Sequence, residues 1–157
     1  MKHVLITGGN KGIGLETTKL FLSLGFKVTI IARDFSNMER PENCEFLAFD
    51  LSNINKIEST VLQLDDVDIL INNAGIMNTY SYDNYPRNKK DEILKINLEA
   101  PIKLMNSVAK TMIKNKKGRI VNNASIAGQI GHPDIWYGVT KAGLINATKS
   151  YARQLGQ

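Results

Sequence analysis

Apolar positions in this chain come in short unbroken runs, separated by stretches in which they recur at helical spacing. Val4-Leu5-Ile6 is the first run, a strand-sized block that ends at a glycine-rich turn. A helix is predicted after it, with Ile13, Thr17, Leu20, Phe21 and Leu24 along one face and Gly25 closing it. Val28–Ala32, rich in β-branched residues, predicts a second strand, and Phe46–Phe49 a third. Ser52 or Asn53 is placed to cap a helix carrying Ile54, Ile57, Val61, Leu62 and Leu64. Val67–Ile71 predicts a fourth strand, and its nearly continuous apolar character is that of a strand covered on both faces.

The stretch 78–90 is polar, contains Tyr80, Tyr82, Tyr85 and Pro86, and reads as a loop leading to a helix with Ile93, Ile96 and Asn97. Ile102–Ile113 continues that helix, with Pro101 marking a kink or a boundary. Ile120-Val121 centre a fifth strand, and the last helix runs from about Trp136 to Leu155. Strands alternating with helices predict right-handed βαβ units and an α/β, doubly wound parallel sheet. A ligand then belongs at the carboxyl ends of the strands.

Composition narrows this picture only slightly. The 157 residues suffice for one core-bearing domain and not for two. Cys44 is a lone cysteine, so no intrachain disulfide forms, which suits a reducing compartment. No apolar run approaches the length of a membrane span, and the expectation is a cytoplasmic protein without a membrane partner. The net charge of +5 permits a nucleic-acid partner. The main basic cluster, Lys114, Lys116, Lys117 and Arg119, nevertheless falls at a predicted helix end, where the dipole favours cations. It is assigned to a solvated helix terminus, and no nucleic-acid role is expected. No His, Cys, Asp or Glu spacing suggests a metal site. His3 is expected to be exposed ahead of its strand, and His132 to lie in a loop.

The candidate chemistry changes the picture more. Gly8, Gly12 and Gly14 follow the first strand in the turn Thr7–Gly14, spaced G-x-x-x-G-x-G. Small residues there let phosphate oxygens approach the N–H groups at a helix N-terminus, which suits a nucleotide diphosphate. At the end of the second strand, where NAD binders place an acid for the ribose hydroxyls, the chain has Ala32-Arg33, with Asp34 one position late. Lys11 and Arg33 are two cations suited to a 2′-phosphate, which predicts NADP(H) over NAD(H). Tyr137 and Lys141 lie four residues apart on a predicted helix, hence on one face, a stripe that continues through Leu144, Thr148 and Ala152. A phenol ordinarily ionises near pH 10, so proton exchange near neutrality calls for a cation alongside. Ser125, twelve residues before Tyr137, can orient a carbonyl. Trp136 and Met77 are weaker candidates for lining a substrate cavity.

These motifs resemble those of the short-chain dehydrogenase/reductase family, in the same order and over essentially the whole chain. The resemblance implies a Rossmann-type sheet and an NADP(H)-dependent oxidoreductase acting on a small carbonyl or alcohol. It implies that Gly8, Asn10, Lys11, Gly12, Ile13 and Gly14 form the cofactor turn, with Arg33 as the second cation. Asp50, followed by Leu51, matches the aspartate that contacts adenine, and Asn73, Ala74 and Gly75 match the segment beside the cofactor in the central sheet. Asn97, Ser125, Tyr137 and Lys141 match the catalytic tetrad. The roles implied are proton exchange by Tyr137, which also counts among the cofactor-binding residues, substrate hydrogen bonding by Ser125, cofactor ribose binding by Lys141 and support of a water chain by Asn97.

One departure stands out. The sequence stops at Gln157, at the end of the catalytic helix, where family members continue through a sixth strand, a substrate-covering helix and a seventh strand. A single domain, 1–157, incomplete at its C-terminus, is therefore expected, with its fifth strand at a sheet edge and part of the last helix uncovered. The short length fits a fragment of an active reductase, or a short form completed by homo-oligomerisation through the helices ending near Ile113 and Leu155. It also fits an NADP(H)-binding sensor or interaction module without turnover. Intact tetrad residues favour the first two.

Overall fold

The computed structural model describes residues 1–156. Five strands make one parallel sheet: β1 (His3–Thr7), β2 (Lys27–Ala32), β3 (Cys44–Ala48), β4 (Ile69–Asn72) and β5 (Arg119–Asn122), in the order β3-β2-β1-β4-β5. The helices are α1 (Gly12–Ser23), α2 (Ile57–Val61), α3 (Arg87–Leu94), α4 (Ala100–Lys114) and α5 (Ile135–Leu155). The central strands β1, β2 and β4 alternate their side chains between two apolar layers. Leu5, Ile31 and Leu70 pack with Leu104, Met105 and Val108 of α4, whereas Val4, Ile6, Ile30 and Ile71 pack against Phe21 and Leu22 of α1. Burial on both faces explains why these strands carry no polar alternation. Each fully buried Leu or Ile contributes about 1.5–3 kcal/mol.

The fold matches the doubly wound expectation, and several local details differ from it. Ile13 and Leu20 of α1 and Leu24 just after it are exposed; the buried residues of α1 are Gly14 and Thr18. The helix rests close on the glycine turn, Thr18 Oγ1 donating to the Gly9 carbonyl at 3.2 Å, and only small side chains fit beneath it. The helix expected from Ser52 or Asn53 is a 3-10 turn, Ile54–Lys56, followed by the five residues of α2, and Leu62 is exposed. Neither expected cap makes a side-chain bond; instead the Asp50 carboxylate accepts the Ser52 N–H at 2.9 Å. Of the stripe on α5, Leu144 is buried, Thr148 is half-buried and Ala152 is exposed. β5 lies at the sheet edge, with Val121 exposed, and Ile126, Ile130, Ile135 and Val139 are exposed beyond it. Within the basic cluster, Lys117 pairs with Asp68 at 3.0 Å.

The kink or boundary expected at Pro101 is a boundary: α4 starts at Ala100 with Pro101 in its first turn. Between α3 and α4 lies a single π turn, Lys95–Glu99, in which the Ala100 N–H reaches back five residues to the Lys95 carbonyl. Pro101 has no N–H to close an α-type bond onto the Asn97 carbonyl, so the irregular turn settles around Asn97.

His3, expected to be exposed, is buried. Its Nε2 lies 2.8 Å from Thr29 Oγ1, which donates to Glu45 at 3.1 Å, and its Nδ1 lies 3.3 Å from the Asp66 carbonyl. Burial, and then the nearby Lys27 cation, hold its pKa below the ordinary 6.5, although the Asp66 carbonyl pulls the other way. Protonation therefore favours the unfolded chain. The stabilising contribution is fully present above about pH 6.5 and is lost as pH falls toward the lowered folded value. In urea titrations between pH 8 and pH 5, wild type is expected to lose more stability than His3→Gln. Parallel pH profiles would contradict this.

Candidate active site

Strand order reverses between β1 and β4, and the crevice at that reversal is where open α/β sheets bind ligands. A cleft of about 730 Å³ lies there. Every expected cofactor residue lines it except Tyr137 and Lys141: Gly8, Asn10, Lys11, Gly12, Ile13, Gly14, Arg33, Asp50, Leu51, Asn73, Ala74 and Gly75. Two turns are laced together at its base. Thr7 Oγ1 accepts the N–H groups of Asn73 and Ala74 at 3.0 and 2.9 Å, while Asn73 Nδ2 donates to the Thr7 carbonyl at 3.1 Å.

The residues present fit a dinucleotide. Gly8 and Gly12 have φ of +66° and +53°, and no atom stands within 4 Å of the place a Gly12 Cβ would take, so the first turn of α1 faces open cleft. The N-cap residue, Lys11, makes no side-chain capping bond, and no acid sits in the first turn. The free N–H groups of that turn are left for an anion. A Gly14 Cβ would overlap the carbonyl oxygen of Gly8, which accounts for the third glycine by packing.

Arg33 and Lys11, both in the cleft lining, are exposed. Asp34 also lines the cleft, but its two carboxylate oxygens accept from Ser36 N and Ser36 Oγ, at 2.9 and 2.8 Å. These hydrogen bonds keep its carboxyl below the usual carboxylate range. Asn10 Nδ2 donates to the Asp34 carbonyl at 2.8 Å, joining the glycine turn to this corner.

None of the four tetrad candidates lines the cleft; Asn97 and Lys141 adjoin its residues Gly75, Ile76 and Asn123. Lys141 is buried, and its Nζ donates to the Asn123 carbonyl at 2.8 Å. Burial holds the Lys141 pKa below its ordinary value. The same Nζ lies 5.6 Å from the centroid of the Tyr137 ring, one turn earlier on α5. Asn97 is buried and grips Ile76 at both backbone groups, Oδ1 accepting the N–H and Nδ2 donating to the carbonyl, each at 2.8 Å. A Cβ on Gly75 would stand 3.5 Å from both Asn97 Oδ1 and Lys141 Nζ, so the two converge on a cleft-lining residue. Ser125 starts the turn Ile126–Gly128, and its Oγ accepts the Ala127 N–H at 3.1 Å. That turn packs on α5 at Gly138 and Ala142. Among the described residues, no direct hydrogen bond joins any two of the four side chains.

Sequence reasoning missed Asn123, which anchors Lys141 and bonds Asn73 Oδ1 at 3.0 Å, and Thr140, 3.3 Å from Asn97 Nδ2. It also missed Phe35, Asn37, Met38 and Ile76 of the cleft wall. The pair Asn122-Asn123 after a predicted strand was the available signal; the wall residues carried none. Met77 is exposed and is not among the residues of the cleft, and Trp136 is half-buried. His132 is half-buried, its ring 5.1 Å from that of Tyr137.

A glycine turn after β1, an Asn-Ala-Gly turn after β4 and a Tyr/Lys pair on one helix define a nucleotide-dependent oxidoreductase scaffold. The chain belongs to the short chain dehydrogenase family, whose sequence pattern it matches over residues 2–157. It is 33% identical to the 3-oxoacyl-(acyl-carrier-protein) reductase FabG of Vibrio cholerae, over 98% of this chain and 67% of that protein. The enzyme of the same name from Thermotoga maritima is 32% identical over 98% of this chain and 68% of its own length. Among solved structures, 4-hydroxyisoleucine dehydrogenase complexed with NADH superposes with a TM-score of 0.93, at 33% identity, covering 99% of this chain and 70% of that one. ElxO with NADP bound gives 0.89 at 31% identity, covering 99% and 68%. The chain thus spans about two thirds of the length of these relatives.

Proposed function

We propose that this chain is an NADP(H)-preferring oxidoreductase that interconverts a carbonyl and an alcohol, with Tyr137 exchanging the substrate proton. The observation carrying this reading is the placement of Lys141. Its buried ammonium is tied to the Asn123 carbonyl at the cleft wall, one helical turn from the Tyr137 ring. A nicotinamide cofactor held by the glycine turn and the Asn73–Gly75 segment would supply or take up the hydride. Tyr137 gives its proton to a carbonyl oxygen or takes one from an alcohol. Lys141 stands beside the Tyr137 ring as a cation, next to the cleft residues Gly75 and Asn123, and would hold the nicotinamide ribose. Ser125 holds the substrate oxygen once its hydroxyl turns from the Ala127 N–H. Asn97 holds the Ile76 backbone and so the cleft wall against α5. Residues 1–157 act as one dinucleotide-binding and catalytic domain, and self-association uses the outer faces of α4 and α5, where Ile113 and Leu155 are exposed.

The test is NADPH oxidation against a panel of ketones and aldehydes. A 3-oxoacyl thioester belongs in that panel, since relatives of that name share 33% and 32% of their residues with this chain. Cofactor binding without consumption of NADPH on any carbonyl would mark a binding module instead.

Preference for the 2′-phosphate rests on Arg33 and Lys11 with Asp34 already engaged by Ser36. Arg33→Ala and Lys11→Ala are each expected to weaken NADPH binding about tenfold, the scale of one hydrogen bond to a charged group, and to leave NADH affinity within about twofold. Isothermal titration with both nucleotides checks this; equal losses for the two would refute the assignment.

A further inference from the structure

Asp134 is the N-cap of α5, its carboxylate accepting the Tyr137 N–H at 3.1 Å. Capping alone does not require burial, yet Asp134 is only 2% exposed. The remaining capacity of its carboxylate goes to the loop after β4. Oδ2 accepts the Asn78 N–H at 2.7 Å, and Oδ1 accepts the Tyr85 hydroxyl at 3.2 Å. Asn78 Nδ2 in turn donates to Tyr85 Oη at 2.9 Å, closing a ring of hydrogen bonds among Asn78, Tyr85 and Asp134. The Tyr80 ring stacks edge-on against Tyr85, with centroids 5.3 Å apart. On the opposite side the Asp134 N–H donates to His132 Nδ1 at 3.0 Å, and the His132 ring lies beside that of Tyr137. A single carboxylate therefore ties the tyrosine-bearing loop to the first turn of the helix that carries the proposed proton donor.

We propose that Asp134 is a positioning residue: its carboxylate clasps the Asn78–Tyr85 loop to the start of α5, and the clasped loop forms a wall beside Tyr137 that governs which carbonyl substrates reach it. The second half of this inference rests on the proposed reductase reading; the clasp itself does not. Asn97 fixes the segment at Ile76 and Asp134 fixes it at Asn78, so the loop starts from a rigid base. Beyond Asn78 the loop is held through Tyr85, whose hydroxyl is the only one of its three tyrosine hydroxyls engaged with Asp134. The Asp134 carboxylate is acceptor-only and matches three donors. An amide in its place keeps one acceptor oxygen and sets an NH2 group against at least one N–H or O–H.

The test uses the full chain with Asp134→Asn, Tyr85→Phe and the double variant, read in two ways. Hydrogen exchange requires no activity. The Asn78 amide is expected to exchange about tenfold or more faster in Asp134→Asn, the scale of one hydrogen bond to a charged group. Tyr85→Phe, which spares the helix cap, is expected to accelerate exchange in residues 79–85 by a smaller factor, and to add little in the Asp134→Asn background because the two act through one ring. In the kinetic reading, Tyr85→Phe is expected to raise KM for bulky carbonyls several-fold with kcat and the NADPH dissociation constant unchanged. Wild-type exchange at Asn78 in Asp134→Asn, or fully additive effects of the two substitutions, would overturn the clasp. Faster exchange with KM unchanged for every turned-over carbonyl would overturn the specificity role. A wild type that consumes no NADPH would remove the reductase reading, and the exchange results would still decide the clasp.

Discussion

Tyr137→Phe is expected to reduce carbonyl-dependent NADPH oxidation by roughly 10²–10⁴-fold, the usual contribution of a positioned general acid. NADPH affinity should stay within about twofold of wild type, because the substitution removes one hydroxyl outside the cleft lining and leaves the glycine turn and Lys141 unchanged. The ring itself is retained, and with it the packing against His132 at 5.1 Å and beneath the Lys141 ammonium at 5.6 Å. A loss of turnover is then attributable to the missing proton. Single-turnover kinetics with saturating NADPH separate the chemical step from binding. Turnover close to wild type would remove Tyr137 from the mechanism, and loss of cofactor binding would show that it acts by shaping the cleft.

The second large effect is expected at the glycine turn, where two substitutions of equal size should fail differently. Alanine at Gly14 would drive a Cβ into the Gly8 carbonyl and against the Asn73 side chain. Neither can retreat, since Asn73 Nδ2 is bonded to the Thr7 carbonyl at 3.1 Å and Gly8 N to the Ile31 carbonyl at 2.8 Å. Overpacking of this kind costs about 1–3 kcal/mol, and more where backbone blocks relaxation. Gly14→Ala should therefore lower the urea midpoint and lose NADPH binding together. Alanine at Gly12 meets no atom within 4 Å and bears only the strain of φ +53°. That strain costs about 1 kcal/mol, while the new methyl group stands in the space the diphosphate would occupy. Gly12→Ala should keep most of its stability and lose NADPH affinity at least tenfold, a factor equivalent to about 1.4 kcal/mol. Equal stabilities for the two variants would contradict the packing assigned to Gly14.

Much of the site was legible because its parts are local. A strand followed by glycines at fixed spacing, or a tyrosine and a lysine one helical turn apart, is a short-range pattern. The cleft indeed collects the glycine turn, Arg33, Asp50 and the Asn73–Gly75 segment. What escaped notice consists of contacts between segments far apart in sequence. Asn123 meets Lys141 across 18 residues, Asn97 meets Ile76 across 21, and Asp134 meets Asn78 across 56. His3 was misplaced for the same reason, since its partner Thr29 lies on a neighbouring strand, 26 residues away.

Apolar runs, glycine spacing and helical periodicity are properties of neighbouring residues, and they sufficed for the strands, the order of the motifs and the class of chemistry. Which face of α1 is buried, and where the helix before α4 yields, came only with the assembled fold. It alone tied the tyrosine loop to the start of α5. Those outcomes depend on how close two backbones come and on which donors meet which acceptors once the sheet is assembled. Packing distance and hydrogen-bond partnership are set by the whole fold, and no window of sequence contains them.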